Sequence, residues 1–223
     1  MSKKFLGGKW LLLDAAGPDF ITGLLSGDRW ITYHRTGDRF LESLQPSLKD
    51  LLEKSSLALS DLSGAFYAAG PGSTLGLRLS AIFLRSLLAL PALSHWKCHP
   101  YNNLALAGCS LIASGQSGAF SLAAPWRRNR LHLASFNSGP PVRFALGYRD
   151  HQPDAPYDGN WVALGNRVAA FPRTGDRIPY PVEGLPALLA AFPEILGPAS
   201  PPAPLQFENP AFAPWSGQRH VRA

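Results

Sequence analysis

Apolar positions come first in short runs bounded by turns, then at helical spacing. Residues 10–13, 20–25 and 30–34 are apolar runs of strand length. The first ends at Asp14. Gly17-Pro18 makes a turn after it, and Gly27-Asp28 makes a tight hairpin turn between the other two. Phe40, Leu41, Leu44, Leu48, Leu51 and Leu52 then recur at helical spacing over 40–53, with Pro46 expected to interrupt the helix or start it afresh. Residues 65–69 read as a short buried strand, 74–90 as a helix and 92–98 as a further strand. The first 99 residues thus predict β-β-β-α-β-α-β, a compact α/β unit.

The second half opens on a helix at 101–113 and a Gly/Ser-rich break at 114–118. Strands are expected at 119–123, 130–136 and 142–146, a loop at 150–159, and short strands at 161–164 and 168–171. A last helix is expected at 185–192. From Gly197 the chain is rich in proline and should run extended, ordered by packing of Leu205, Phe207, Phe212 and Trp215. The pattern predicts two α/β lobes with mixed sheets, 1–99 and 100–223.

The stretch from Gly70 to Leu90 carries the clearest local signal. A strand runs into Gly70-Pro71-Gly72-Ser73, and a helix follows. Gly70 and Gly72 allow backbone angles that a side chain would forbid. Ser73 or Thr74 can cap the helix, whose first N–H groups make Gly70, Gly72, Ser73 and Thr74 a candidate anion site. On the helix, Arg78 and Arg85 share one face, with Ala81 and Ala89 beside them. Leucines, Ile82 and Phe83 cover nearly all the rest. One sheet covers an apolar stripe of roughly 100°, so this helix needs cover on a second side. The cover is either another element of the same chain or another chain. In the second case Gly76, Ser80 and Phe83 face the sheet. Leu75, Arg78, Leu79, Ile82, Arg85 and Ser86 then form the protein interface.

Composition changes this picture little. The chain has 223 residues, 46% of them hydrophobic, long enough for one large domain or two small ones. The formal charge of +6 is spread along the chain, compatible with nucleic acid and equally with a plain basic surface. Two cysteines, Cys98 and Cys109, suit buried thiols in a reducing compartment. Leu6 to Leu13 is broken by Gly7, Gly8 and Lys9, a poor signal-peptide core, and no apolar run has bilayer length. These features predict a cytoplasmic, soluble protein.

The order of elements and the string around Gly70 resemble the bacterial TsaB family. Its members belong to the actin-like ATPase superfamily and have ribonuclease-H-like subdomains. The family's string is Gly-Pro-Gly-Ser-Phe-Thr-Gly-Leu-Arg-Ile-Gly. Gly70, Pro71, Gly72, Ser73, Gly76, Leu77 and Arg78 match it, while Thr74-Leu75 stands for Phe-Thr and Ser80 for the last Gly. The resemblance covers 9–105. It continues more weakly through Trp126-Arg127-Arg128-Asn129-Arg130, which is similar to the family's Ala-Arg-Arg hairpin, and is thin beyond 146. It implies a non-catalytic subunit in making threonylcarbamoyladenosine beside the tRNA anticodon. The catalyst is TsaD, which carries the metal. TsaB meets it through a helix bundle, and alone forms a homodimer through the same surface. Further implied are the TsaE ATPase as partner and tRNA contact through the complex, with Arg127, Arg128 and Arg130 as candidates. No cofactor is implied for the chain alone; ATP or ADP would bind only at an interface of the complex. The family's Asp-Thr-Ser after the first strand is Asp14-Ala15-Ala16 here, which leaves no hydroxyl for phosphate.

Enzyme chemistry finds thin support. His95 and His99 have the four-residue spacing that shares a metal on a helix, but on a strand they lie roughly 13 Å apart. Asp14 suits Mg²⁺ in an actin-like kinase, which also needs a second phosphate loop, and none is legible. No Ser/His/Asp arrangement has supporting context. The expectation is a chain with no catalytic residue and no metal of its own. The alternatives are a diverged homodimeric scaffold with another partner, or a metal- or ATP-dependent enzyme on the same fold.

Overall fold

The computed structural model describes residues 7–37, 40–127, 130–138, 142–150, 157–164 and 174–204. Strands β1 (Lys9–Asp14), β2 (Phe20–Ser26) and β3 (Arg29–Thr36) form the expected meander. Helix α1 (Phe40–Ser55) follows, then β4 (Gly64–Gly70), α2 (Thr74–Leu88) and β5 (Lys97–Asn102). The first sheet has the order β3-β2-β1-β4-β5, with β1, β4 and β5 parallel.

After α3 (Asn103–Ala113) come β6 (Ala119–Arg127), β7 (Arg130–Asn137), β8 (Arg143–Asp150), β9 (Trp161–Val162) and β10 (Arg177–Ile178). The second sheet has the order β10-β9-β6-β7-β8. Its β6-β7-β8 meander is antiparallel, while β9 runs parallel to β6 and β10 to β9. Both sheets thus share one plan: a three-strand antiparallel meander with two parallel strands added beside the first. That repeated plan is the ribonuclease-H-like arrangement expected from the sequence. Helix α4 (Leu185–Ala191) ends the regular structure.

Alternation sets the layers. Trp10 and Leu12 of β1 face a core shared with Tyr101, Ala105, Leu106 and α4, while Leu11 and Leu13 face the core under α1 and α2. Helix α3 is buried all round from Asn103 to Cys109 and half-buried or exposed in its last turn. Ala105, Leu106 and Cys109 meet the first core, and Leu104 and Ala107 pack with Leu122, Ala134 and Phe136 of the second sheet. A helix apolar on every side belongs between two layers, and α3 fills that place.

The structure corrects several boundaries. Pro46 lies inside a continuous α1; it is exposed, so water can serve the carbonyl its ring leaves unpaired. The strand expected at 92–98 begins only at Lys97, because Pro91–Leu93 forms a 3-10 turn after α2. The helix expected from 101 begins at Asn103: Asn102 caps it by accepting from the Ala105 amide at 2.9 Å, which leaves Tyr101 in the strand. The short strand β10 is new. The strand expected at 168–171 and the chain beyond 204 lie outside the described residues. Among the described residues no helix is long and apolar enough to cross a membrane.

Candidate functional site

The turn before α2 is built against the end of β1. Gly70 has φ +126°, a backbone region open to glycine. Gly72 is needed for a different reason: a Cβ there would lie 2.5 Å from the Ala16 Cβ. The Ser73 amide donates to the Ala16 carbonyl at 2.9 Å, and the Ser73 hydroxyl accepts from the Gly76 amide at 3.3 Å. One N–H group of the candidate anion site, that of Ser73, is therefore spent inside the chain, as is that of Gly76 in the first helical turn, while Thr74 is exposed.

Beside this turn, Asp14 is 1% exposed. Its Oδ1 accepts from the Ala16 amide at 2.9 Å. Its Oδ2 accepts from the Tyr101 hydroxyl at 2.7 Å, the Tyr180 hydroxyl at 2.5 Å and the Asn103 amide at 3.1 Å. Burial pushes the carboxyl above the usual carboxylate range, against the pull of these donors. Tyr101 and Tyr180 are raised well above 10, by burial first and by Asp14 second. Tyr180 also lines a cleft of about 400 Å³ with Asp19, Arg35 and Arg177, so its ring stands between Asp14 and that opening. Every oxygen of Asp14 has a protein donor, and Ala15 and Ala16 add no hydroxyl. These residues do not fit a metal–phosphate group. Sequence reasoning missed Tyr101, Asn103 and Tyr180 as partners of Asp14. Asn102-Asn103 before an apolar run was the only local signal, a helix cap.

The histidine pair separates. His95 Nε2 lies 3.0 Å from the Leu62 carbonyl, and His99 Nδ1 lies 3.1 Å from the Gly197 carbonyl. His99 packs against Trp10 and Phe66 in the other core. Among the described residues no three His, Cys, Asp or Glu side chains gather to hold a metal. Burial pushes the Cys98 thiol up to about 11 and the Cys109 thiol up to about 12, which makes both poor nucleophiles at neutral pH.

On α2, Gly76, Leu77, Ser80, Ala81, Leu84 and Leu87 are buried. Ala81 thus turns toward the core, away from the exposed arginines it was grouped with. Phe83 is half-buried against the α1–α2 core. The outer row is Leu75, Arg78, Ile82, Arg85 and Ser86, all exposed, with Leu79 half-buried. Leu75 is 66% and Ile82 59% exposed. Helix α1 lies beside α2 and starts at the same end of the sheet. Phe40 meets Phe20 at 4.7 Å between ring centroids, and Gly76 touches Ala15. Leu41, in the first turn of α1, is 68% exposed. Helix α1 supplies part of the second cover, over Phe83, while among the described residues the apolar row of Leu75, Ile82 and Leu41 stands open.

Of the three arginines near the β6–β7 hairpin, Arg130 bonds Asp150 at 2.9 Å and stacks over Tyr148. Arg127 stands opposite Arg130 in the ladder. Arg128 and the side chain of Arg127 lie outside the description.

YeaZ from Pseudomonas aeruginosa superposes with a TM-score of 0.64 at 19% identity, over 90% of this chain and 100% of that one. A second P. aeruginosa structure, of a protein similar to peptidase YeaZ, gives 0.62 at 19% identity with the same coverage. The chain has the YeaZ fold. YeaZ is also called TsaB, so the likeness agrees with the resemblance around Gly70 and with a diverged TsaB-like member. No family model and no curated protein sequence matches the chain.

Proposed function

We propose that the chain is a TsaB-like, non-catalytic subunit in cytoplasmic synthesis of threonylcarbamoyladenosine on tRNA. It supports a TsaD-like catalytic subunit, which docks on the outer row of α2 beside α1. A TsaE-like ATPase and tRNA join through the complex, and the chain alone pairs with itself through the same row. The observation that carries this reading is the open row Leu75, Ile82 and Leu41, bordered by Arg78 and Arg85. A patch of this kind on two adjacent helices favours a helical partner. The closed hydrogen-bond set around Asp14 weighs against nucleotide or metal chemistry within this chain.

The test is reconstitution. A TsaD-like subunit of the same organism, with threonylcarbamoyl adenylate and tRNA, should form the modified nucleoside only when this chain is added. Modification at the same rate without the chain, or no modification with it, contradicts the proposal.

A further inference from the structure

Arg85 sits in the last turn of α2, yet its Nε donates to the carbonyl of Pro202, 2.7 Å away and 117 residues on. Residues 197–204 form a strap that brings this carbonyl into place. The strap first pairs with the free edge of β5: the Gly197 amide donates to the Pro100 carbonyl at 2.7 Å and the Ser200 amide to the Cys98 carbonyl at 3.2 Å. It then reaches Tyr67 of β4, whose hydroxyl accepts from the Ala203 amide at 3.2 Å and donates to the Ala203 carbonyl at 3.5 Å. Pro202 is buried, while Arg85 remains exposed.

One edge of the guanidinium is thus fixed by the strap. Its terminal nitrogens have no acidic partner among the described residues. A guanidinium held along one edge still offers its other donors as a fork that fits a carboxylate. Fixing it before binding removes part of the ordering cost.

The charge pattern says what kind of partner fits. Arg78 and Arg85 are the only charged residues of α2. A second copy, which the chain alone takes up through the apolar residues of the row, would meet Arg85 with arginines unless its α1 supplied carboxylates. Those are engaged already: Asp50 bonds His34 at 2.6 Å and Lys54 at 2.8 Å, Glu53 pairs with Lys49 at 3.7 Å, and Glu42 has an interaction of its own. A carboxylate brought by a different protein carries no such competition.

We propose that Arg85, positioned by the Pro202 carbonyl, selects a protein partner whose apolar helical stripe is bordered by a carboxylate. The strap is then part of the binding face, and Tyr67 is a positioning residue that acts through it. This rests on the reading of α2 as the partner surface.

The experiment measures the affinity of the TsaD-like subunit for the full chain and for five variants, at two salt concentrations. Arg85→Ala should weaken binding about ten- to a hundredfold and flatten its salt dependence. Arg85→Lys should not restore it, because an ammonium cannot hold Pro202 and grip a carboxylate as a fork. Tyr67→Phe leaves the surface untouched and should weaken binding about three- to tenfold with an unchanged circular dichroism spectrum. The double variant Y67F/R85A should bind no more weakly than R85A alone, since both changes act through one guanidinium. Wild-type binding by R85A and Y67F, with loss of binding in Ile82→Glu, overturns the role of Arg85 and leaves the α2 surface standing. Wild-type binding by Ile82→Glu overturns the surface itself. Self-association that R85A abolishes while binding of the TsaD-like subunit stays at the wild-type level makes the occupant of the guanidinium a second copy and overturns the choice of partner. If Y67F unfolds, R85K alone decides, and wild-type binding by R85K overturns the proposal.

Discussion

His132 and Asp14 are buried ionisable side chains that meet burial with different company. His132 lies in β7, opposite Tyr148, and burial lowers its pKa from 6.5 to about 4. A histidine whose folded pKa is depressed adds stability above its unfolded pKa, and that stability is lost as pH falls toward the folded value. Over pH 6.5 to 4 the shift is worth about 3 kcal/mol. Urea unfolding of the wild type and of His132→Gln should therefore converge by about this amount as pH drops through that window. A constant gap would mean that His132 charges without cost. Asp14 is different, because donors from three segments of chain converge on it. Its sequence neighbours announced a strand-end turn, and its real partners lie 87, 89 and 166 residues away.

At the scale of the element, α2 is fixed by a close approach. A Cβ at Gly76 would lie 2.2 Å from the Ala15 carbonyl oxygen and 2.9 Å from the Ala15 Cβ. Gly76→Ala should thus destabilise the fold by about 2 kcal/mol, although alanine favours a helix by up to about 1 kcal/mol. Urea unfolding reads this directly, and equal or greater stability would mean that α2 is free to shift. The same helix shows how far sequence pattern reaches. Its extent, its Ser73 cap and its outer row were legible, because helical spacing and capping are local. The meander β1–β3 was legible for the same reason, through Gly27-Asp28. The start of β5 was not, since Pro91 closes a local turn where an apolar run suggested a strand. Tyr180 was not, since nothing near it in sequence points to Asp14. Residues 197–204 read only as an extended tail, because the groups that hold them lie on β4, β5 and α2.

At the scale of the molecule, the two like sheets close on α3, and contacts on that side are made within the chain. Tyr180 reaches Asp14, and the Trp30 indole donates to the Val182 carbonyl at 3.2 Å. The opposite face of the first sheet carries α1 and α2 and ends in the open row of Leu41, Leu75 and Ile82. We propose that row as the assembly surface. Replacing Ile82 by Glu puts a charge into the contact without touching the chain's own core, at a cost of about 3 kcal/mol or more if it is buried unpaired. Sedimentation velocity of the chain mixed with the TsaD-like subunit is the most direct measurement. Wild type should co-sediment, and Ile82→Glu should sediment as a separate species with an unchanged circular dichroism spectrum. A wild-type chain that ignores the subunit, or an Ile82→Glu variant that still co-sediments or that unfolds, would contradict the account.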